Sequence, residues 1–276
     1  MKHRLLTAAI VCLLLLAWGF WPRPAIRRAI FLAVGQGDCT VIQSGDTAIL
    51  IDTGPKRARD DAGERLVVPK LRKYGINRVE RIILTHPDGD HVGGTGAVLA
   101  RYPSAKLVAS SGFEGNDQMV AWIQSWKAQP KDVQWLTSGA FDFGGLRFDI
   151  WCPSVSAATP DNDGSVCTRV AGSKGSLVIT GDLSGDREAE LIAVTGWRSD
   201  ILKVGHHGSK SSSSAQFLAA IQARAGIISC GRENSYRHPH PETLQRLEDA
   251  GIRAFRTDTD GDLIYDFDTG RLTKGD

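Results

Sequence analysis

Short runs of apolar residues, separated by turn-forming residues, set the pattern of the first part of the chain. Residues 29–34, 40–43 and 47–51 each form such a run, and the segments between them contain Gly-Gln-Gly-Asp and Ser-Gly-Asp. Short runs rich in Val, Ile and Thr between glycine-marked turns are typical of β-strands. The opening of the chain is therefore predicted to be a set of antiparallel strands.

Segments with helical spacing alternate with further apolar runs over the rest of the sequence. The predicted helices cover 67–74, 92–102, 117–129, 186–195, 213–225 and 241–250. The predicted strands cover 81–84, 105–110, 146–152, 165–170, 176–180 and 201–204. Blocks of strands closed by helices occur twice, which fits an α/β fold with two sheets packed face to face and helices outside. The pattern predicts a four-layer αββα sandwich.

The N-terminus departs from this pattern. Lys2 and Arg4 precede a stretch without charge at residues 5–21. A basic start followed by an apolar segment of about 17 residues lies between a secretory signal peptide and a short membrane anchor, although arginines just after it oppose translocation. We expect residues 1–25 to be a signal peptide or membrane anchor. Residues 26–276 are then an extracytoplasmic or periplasmic domain, secreted or anchored to the inner membrane.

Composition and charge indicate a globular domain without a strong overall charge. The chain has 276 residues, of which 42% are hydrophobic, enough for a sizeable core. Residues 1–25 hold three basic residues and no acidic one, so the remainder carries 30 basic and 31 acidic residues. Overall charge thus gives no support to nucleic-acid binding by the domain. Residues 56–81 do hold nine basic residues against four acidic ones, which indicates either a solvated helix face or a basic border beside a site.

Four cysteines lie beyond the N-terminal segment: Cys39, Cys152, Cys167 and Cys230. In an exported protein an even number of cysteines permits disulfides. Cys152 ends one predicted strand and Cys167 lies near the start of the next, with a polar loop between them. The first expectation is a Cys152–Cys167 bridge, and buried free thiols are the alternative.

One stretch concentrates metal-binding side chains. Residues 85–91 read Thr-His-Pro-Asp-Gly-Asp-His and directly follow a predicted strand. Imidazole nitrogens and carboxylate oxygens are common metal donors. His86, Asp88, Asp90 and His91 are therefore candidate metal ligands on a loop at the end of a strand.

The other histidines repeat this clustering. Apart from His3, the remaining four lie as His206-His207 and as His238 with His240, each pair beside glycine- or proline-marked turns. Surface histidines that hydrogen-bond in turns explain one such cluster more readily than three. The distribution predicts one composite metal site assembled by folding.

Several short motifs occur in a fixed order along residues 29–265. They are Val-Gly-Gln-Gly-Asp at 34–38, Ile-Asp-Thr-Gly at 51–54, the cluster at 85–94, Ile-Thr-Gly-Asp at 179–182, the segment 203–210, His-Pro-His-Pro at 238–241 and Arg-Thr-Asp at 256–258. In these motifs the chain resembles the metallo-β-lactamase superfamily, and within it the extracytoplasmic C-terminal domain of ComEC-type DNA-uptake proteins. The resemblance implies a hydrolase with two metal ions on an αββα sandwich.

The resemblance also assigns metal ligands by motif position. They are His86 and Asp88 for a first ion, Asp90, His91 and His207 for a second, and Asp182 as a bridge between them. His206 is a further candidate beside His207. No histidine occurs at 155–172, where many members of the superfamily supply a ligand to the first ion. The first ion is therefore expected to be held less completely than the second.

Such a ligand set has chemical consequences of its own. Two neighbouring divalent ions can share a water, lower its pKa towards roughly 7 and turn it into a hydroxide nucleophile. Asp88, in place of the imidazole of typical β-lactamases, makes Mn²⁺ a credible alternative to Zn²⁺. Asp52 is expected to order the cluster loop through backbone hydrogen bonds. Asp38, in a glycine-rich turn, is either another supporting residue or only part of the turn.

Further polar residues flank the candidate ligands. Lys203, Ser209 and Lys210 are expected to hold a phosphate group, although a solvated side chain explains each lysine equally well. His238 and His240 lie next to prolines and are expected to stabilise developing charge or to protonate a leaving group. The full set of expected catalytic residues is Asp88, His206, His238 and His240.

The residues and the resemblance together predict metal-dependent hydrolysis of phosphodiesters outside the cytoplasm, with single-stranded DNA as the substrate that the resemblance implies. One alternative is hydrolysis of small extracellular esters, such as phosphocholine-like esters, lactones or β-lactams. Another is a catalytically silent module that binds DNA or a protein partner at the membrane. The oligomeric state stays open.

Overall fold

The computed structural model describes residues 25–58, 60–127, 132–156 and 158–275. The signal peptide or anchor expected at 1–25 lies outside these ranges apart from Ala25, as does the end of the helix predicted at 117–129. Within the described part of the chain, no helix is long and apolar enough to span a membrane.

One sheet, with eight strands among the described residues, forms the first half of the fold. Its strands are β1 (Arg27–Phe31), β2 (Thr40–Ser44), β3 (Thr47–Ile51), β6 (Arg78–Leu84), β7 (Lys106–Ser110), β8 (Val133–Leu136), β16 (Leu263–Asp266) and β17 (Leu272–Lys274). Their order is β17-β16-β1-β2-β3-β6-β7-β8. The pairs from β17 to β3 are antiparallel, whereas β3, β6, β7 and β8 run parallel. A two-strand ribbon, β4 (Lys56–Arg57) with β5 (Asp60–Asp61), follows β3.

The second sheet has seven strands in the described ranges. They are β9 (Gly139–Phe143), β10 (Leu146–Trp151), β11 (Cys167–Ala171), β12 (Ser176–Ile179), β13 (Ile201–Lys203), β14 (Ala225–Ile228) and β15 (Arg253–Arg256). Their order is β15-β14-β13-β12-β11-β10-β9. Strands β12 to β15 run parallel and the other pairs are antiparallel. Both sheets thus combine a parallel part with an antiparallel part.

Helices cover the outer faces of both sheets. Their bounds are Gly63–Val67 (a π-helical turn), Val68–Lys73, Gly89–Val92, Thr95–Arg101, Asp117–Ser125, Gly185–Thr195, Ala215–Ile221, Pro241–Asp249 and Thr257–Asp260, with short 3₁₀ turns at Ser111–Phe113, Asp161–Gly164 and Gly205–Gly208. Phe31 and Phe148, from the two sheets, belong to one buried cluster between them. Leu71 belongs to a cluster under the helices of the first sheet, and Leu191 and Phe217 to one under those of the second. The predicted αββα sandwich is confirmed.

The four edge strands are among the strands for which the apolar pattern gave no range, and the others are β14, β16 and the β4–β5 ribbon. Strands β17 and β8 border the first sheet, and β15 and β9 border the second. Most residues of β15 and β9 are exposed or only partly buried. An edge strand with little buried surface carries a weak apolar period, so it is hard to recognise in a sequence.

Two glycines divide the helix predicted at 92–102. The structure has a short turn, Gly89–Val92, and then a helix, Thr95–Arg101. A side chain at Gly94 would collide with the carbonyl oxygen of Thr53. The backbone of the loop that carries the metal-binding cluster therefore packs directly against the loop after β3, which requires glycine.

The expected Cys152–Cys167 bridge is wrong. Trp151 and Cys167 are direct partners in the pairing of β10 with β11, so Cys152, one residue further on, points to the opposite face of the sheet. Cys167 packs in the outer cluster, whereas Cys152 packs against the cluster between the sheets. Cys39, Cys152, Cys167 and Cys230 are free thiols. Burial raises the pKa of Cys152 to about 11, which makes it a poor nucleophile.

Candidate metal centre

The candidate ligands come together at one edge of the sandwich, where strands of both sheets end. Asp52 follows β3, and the loop 85–91 follows β6. Asp182 follows β12, and His206-His207 follow β13. Sites in α/β sheets form outside the carboxyl ends of parallel strands because the loops there bring side chains from several strands together. The fold thereby joins histidines from both halves of the chain.

Four buried side chains form the centre of this site, and we call them the deep group: Asp38, His91, Asp182 and His207. Each offers one nitrogen or oxygen atom, and these atoms lie within 4.8 Å of one another. None of the four side chains is more than 5% exposed. Two imidazoles and two carboxylates at this spacing match the donors that proteins use for Zn²⁺ and similar divalent ions.

Several ligand atoms of the deep group make no hydrogen bond, although two of them, His91 Nε2 and Asp182 Oδ1, lie 3.2 Å apart. Asp38 Oδ1, His91 Nε2 and Asp182 Oδ1 are buried and accept or donate no hydrogen bond among the described residues. A buried polar atom without a partner costs about 1–3 kcal/mol. A divalent cation between these atoms would satisfy all of them at once, so the residues present fit a metal ion.

Asp52 fixes the orientation of His91. Its carboxylate accepts hydrogen bonds from the Thr85 backbone N–H at 2.9 Å and from the Thr85 hydroxyl at 2.8 Å, and it lies 2.7 Å from His91 Nδ1. With Nδ1 engaged in this way, His91 Nε2 is 3.2 Å from Asp182 Oδ1. Burial opposes the charged imidazolium, but the carboxylates of Asp182 and Asp52 raise the pKa of His91 well above its usual value. A carboxylate behind an imidazole commonly orients metal-binding histidines.

Asp38 enters the deep group together with Lys203. Lys203 Nζ donates to Asp38 Oδ2 at 2.7 Å and to the carbonyl oxygen of Val204 at 3.1 Å, and its side chain is 1% exposed. Burial raises the pKa of Asp38, but the Lys203 ammonium and nearby imidazoles lower it overall. Lys203 therefore does not present its ammonium to a substrate phosphate, as the sequence had suggested. It holds one oxygen of Asp38 and leaves the other facing the centre.

His207 reaches the centre from a strained turn. His206 and His207 have φ angles of 48° and 54°, a left-handed conformation that is uncommon for residues other than glycine. His207 Nδ1 donates to the carbonyl oxygen of Ser229 at 3.0 Å. Its Nε2 lies 3.1 Å from Asp90 Oδ2 and 3.8 Å from Asp182 Oδ2. The hydrogen bond to Ser229 thus directs Nε2 towards the two carboxylates.

A second set of candidate ligands lies nearer the surface, and we call it the shallow group: His86, Asp88, Asp90 and His206. His86 is buried, and its Nε2 lies 3.6 Å from Asp88 Oδ2. The side chains of Asp88, Asp90 and His206 are 39%, 32% and 29% exposed. His206 Nε2 is 3.5 Å from Asp182 Oδ2, so Asp182 faces both groups. The neighbouring His86 imidazole lowers the pKa of Asp88.

A serine stands where the shallow group faces the segment 155–172. Ser165 Oγ lies 3.4 Å from His86 Nδ1 and accepts a hydrogen bond from the Asp182 backbone N–H at 3.2 Å. Its hydroxyl contacts His86 Nδ1, the ring nitrogen that does not face Asp88, and so helps to orient the ring. The shallow group therefore gains no imidazole from this segment.

His238 lies over the deep group. Its ring stacks on His207, with centroids 6.2 Å apart, and meets His206 edge-on at 5.6 Å. Its buried Nδ1 has no hydrogen-bond partner within the described ranges. Burial, and then the neighbouring imidazoles, lower the pKa of His238 to about 4. The ring is therefore neutral near pH 7. In that form it can donate a hydrogen bond, but it is too rarely protonated to act as a general acid.

The side chain of His240 hydrogen-bonds to the backbone of two turns and does not face the metal centre. Its Nδ1 accepts from the Lys210 backbone N–H, and its Nε2 donates to the carbonyl oxygen of Tyr236, both at 3.1 Å. Both ring nitrogens are thus occupied, which corrects the expectation that His240 protonates a leaving group. Ser209 is buried and shares a hydrogen bond with Ser211 at 2.9 Å. The side chain of Lys210 is exposed.

Some residues at the centre were not foreseen in these positions. Thr85, Ser165 and the carbonyl of Ser229 orient histidines, and small polar residues of this kind give no signal of their own in a sequence. Asp38 was expected as support or as a turn, yet its carboxylate faces the deep group. Its place in the Gly-Gln-Gly-Asp turn between two buried strands is the signal that points to it.

Comparisons with known proteins identify a family for the chain. A model of the metallo-beta-lactamase superfamily matches residues 32–232. The chain is 29% identical to ComE operon protein 3 of Bacillus subtilis over 96% of its length, and 32% identical to recombination protein 2 of Haemophilus influenzae over 87%. These matches cover 36% and 29% of the relatives, so the chain spans about a third of their length.

A solved structure shows the same fold. The metallo-beta-lactamase fold protein YhfI from Bacillus subtilis superposes with a TM-score of 0.56 over 87% of this chain and 99% of that one, at 12% identity. The relatives named above include a protein of the ComE operon, in agreement with the resemblance carried by the motifs. On the family match over most of its length, the chain belongs to the metallo-β-lactamase superfamily.

Proposed function

We propose that the protein is a metal-dependent hydrolase of phosphodiesters, and that its substrate is single-stranded DNA outside the cytoplasm. The observation that supports this most strongly is the convergence of the deep group, whose buried ligand atoms lie within 4.8 Å of one another. When bound there, Zn²⁺ or Mn²⁺ supplies Lewis-acid polarisation of a phosphoryl oxygen and lowers the pKa of water. The fold family agrees with this chemistry but does not define the substrate.

The roles of the protein residues follow from their contacts. Asp38, His91, Asp182 and His207 would hold one ion, and Asp182 would share a second ion with the shallow group. Asp90 belongs to the second ion in this proposal, although motif position places it with His91 and His207 and its Oδ2 lies 3.1 Å from His207 Nε2. His238, neutral near pH 7, would donate a hydrogen bond to an anionic oxygen of the substrate, as preorganised donors do in other hydrolases. Neither Lys203 nor His240 contacts substrate in this proposal.

The substrate and the location rest on other observations. One relative is named a recombination protein, and we extend its connection with DNA to this chain only as part of the proposal. The basic and then apolar N-terminal sequence supports export, with a membrane anchor as one form of it. Nucleic acid is therefore the proposed partner.

A metal analysis with a substrate panel tests the proposal. Protein reconstituted with Zn²⁺ or Mn²⁺ is expected to cleave bis(p-nitrophenyl) phosphate and a single-stranded oligonucleotide, and to lose both activities with a chelator. Hydrolysis of a lactone or choline ester instead would favour the small-ester alternative. Less than one equivalent of bound metal and no cleavage of any substrate would favour a silent binding module.

A further inference from the structure

A surface groove leads away from the candidate metal centre. The part nearest the centre has a volume of about 340 Å³ and is lined by Asp88, Asp90 and Arg57, among others. The next part, of about 390 Å³, is lined by Arg57, Arg65 and Arg232, among others. Arg57 lines both parts and so stands at their junction. We call the two parts together the arginine groove.

The side chains of the groove carry positive charge that is available for an anion. Arg57 is exposed, and its side chain makes no hydrogen bond or ion pair with the described residues, although the Asp60 carboxylate attracts it electrostatically. Arg232 is exposed and uses its Nε on the carbonyl oxygen of Asp258, which leaves its terminal nitrogens free for other acceptors. Two acids line the outer part: Asp60, which is bound by Arg65, and Glu233, which is exposed. Guanidinium groups bind phosphate oxygens in pairs, so this surface suits a chain of phosphates.

An aromatic ring borders the same groove. Tyr236 lines its inner part and is 61% exposed, and it is the one aromatic residue among the large exposed hydrophobics of the described chain. Its ring stacks on His238, with centroids 5.7 Å apart and planes 22° apart. His238 stacks in turn on His207 of the deep group. One face of Tyr236 is thus held by the site below it, and the other is left open for an unpaired base.

We infer that the arginine groove binds a single nucleic-acid strand to one side of the phosphate that is cut. Arg57 contacts the next phosphate along the strand, Arg232 continues the path, and Tyr236 stacks on an unpaired base. The inference rests on the proposed function, because the metal centre fixes where the cut phosphate lies. It requires a single strand, since the bases of a duplex stack on each other and leave no face for Tyr236.

Binding of a cleavage-resistant strand tests the groove separately from catalysis. A fluorescein-labelled phosphorothioate dodecathymidylate keeps the charges and bases, and its affinity for the metal-loaded full chain is measured by fluorescence anisotropy. We expect Arg57→Ala and Tyr236→Ala each to weaken binding about tenfold. Tyr236→Phe keeps the ring and is expected to bind within about twofold of the wild type. Arg78→Ala removes an exposed arginine at the far end of β6 and serves as the matched control.

Two further measurements identify the chemistry. The slope of log affinity against log salt concentration should fall by about one for Arg57→Ala, because one phosphate contact is lost. Polyphosphate carries charge but no bases, so Tyr236→Ala should not weaken its binding, and equal losses for polyphosphate and oligonucleotide would overturn the stacking role.

The outcomes also separate this inference from the proposed function. Wild-type affinity in Arg57→Ala, or the same loss in Arg78→Ala, would overturn the groove. Strand binding with the expected sensitivities but no cleavage of any phosphodiester would support the groove and refute the hydrolase. Cleavage of bis(p-nitrophenyl) phosphate without strand binding would support the hydrolase and refute the groove.

Discussion

The deep and shallow groups use similar side chains in very different surroundings. The deep group is almost inaccessible to solvent, and each of its histidines has its other ring nitrogen hydrogen-bonded, one to Asp52 and one to Ser229. In the shallow group Asp88, Asp90 and His206 are about a third exposed. Preorganised and dry ligands bind a metal more tightly than mobile and solvated ones. We therefore expect one strong metal site and one weak one.

The charges around the two groups also favour tighter metal binding in the deep group. The deep group has a buried cation of its own, because Lys203 neutralises Asp38 from behind. The shallow group has no such counter-charge from lysine or arginine within the described ion pairs, and water screens its carboxylates instead. The types of ligand therefore do not decide which site binds metal more tightly. Burial of the ligands, and the residues that hydrogen-bond to them, decide it.

The largest loss is expected from Asp182→Asn, because this carboxylate faces both groups. Its pKa lies well below the usual value, since the neighbouring imidazoles outweigh the effect of burial. We expect kcat/KM for bis(p-nitrophenyl) phosphate to fall by about 10³-fold or more. Asp186→Asn, at an exposed position on the next helix, is the control and should match the wild type. A variant of Asp182 with more than a tenth of the activity would contradict the shared role.

Lys203→Met is expected to destabilise the fold strongly. It leaves the Asp38 carboxylate buried without its partner, and breaking a buried ion pair costs about 3–5 kcal/mol. Urea unfolding of chelator-treated protein measures the change. The double variant Asp38→Asn/Lys203→Met removes both charges and should recover most of the loss. A cost below about 1 kcal/mol would show that the pair is not buried as described.

Asp88→Asn should have a smaller effect on metal binding than any change in the deep group. Its side chain is 39% exposed, and exposed charges contribute little to binding energy. We expect the weaker metal equivalent to lose about tenfold in affinity, while the tighter equivalent is retained. Isothermal titration of the chelator-treated variant gives both values. Loss of the tighter equivalent would reverse the ranking of the two groups.

The last expected effect is a pH dependence of stability from His238, which lies over the deep group. Its pKa is lowered to about 4, so the unfolded chain takes up a proton at higher pH than the folded one. The stability from this group is present above its ordinary pKa of about 6.5 and is lost as the pH falls through about 4. In chelator-treated protein, His238→Phe should flatten the decline over that window, by at most about 3 kcal/mol. An unchanged slope would count against the lowered pKa.

Most central strands and the ligand loop could be predicted from the sequence for a physical reason. Strands such as Thr47–Ile51 are buried on both faces and read as continuous apolar runs. The cluster at 85–91 concentrates four metal donors in seven residues, a density that turns rarely show. The edge strands β8, β9, β15 and β17 lacked both signals, because much of each remains exposed.

The wrong predictions for Lys203, His240 and the Cys152–Cys167 bridge depend on contacts between residues that the sequence alone does not reveal. Lys203 and Asp38 are 165 positions apart, and only the packing of the two sheets makes them a buried pair. The same holds for His240, whose two backbone partners come from separate turns. The Cys152–Cys167 error came from a shift of one residue in strand phase, which proximity along the chain does not reveal.

Metal titration of the chelator-treated protein tests the ranking of the two groups most directly. We predict two binding events for Zn²⁺ or Mn²⁺, the first at least about tenfold tighter than the second. The tight event should disappear in His91→Ala and persist in Asp88→Asn. Two events of equal affinity, or a tight event that survives His91→Ala, would contradict the account.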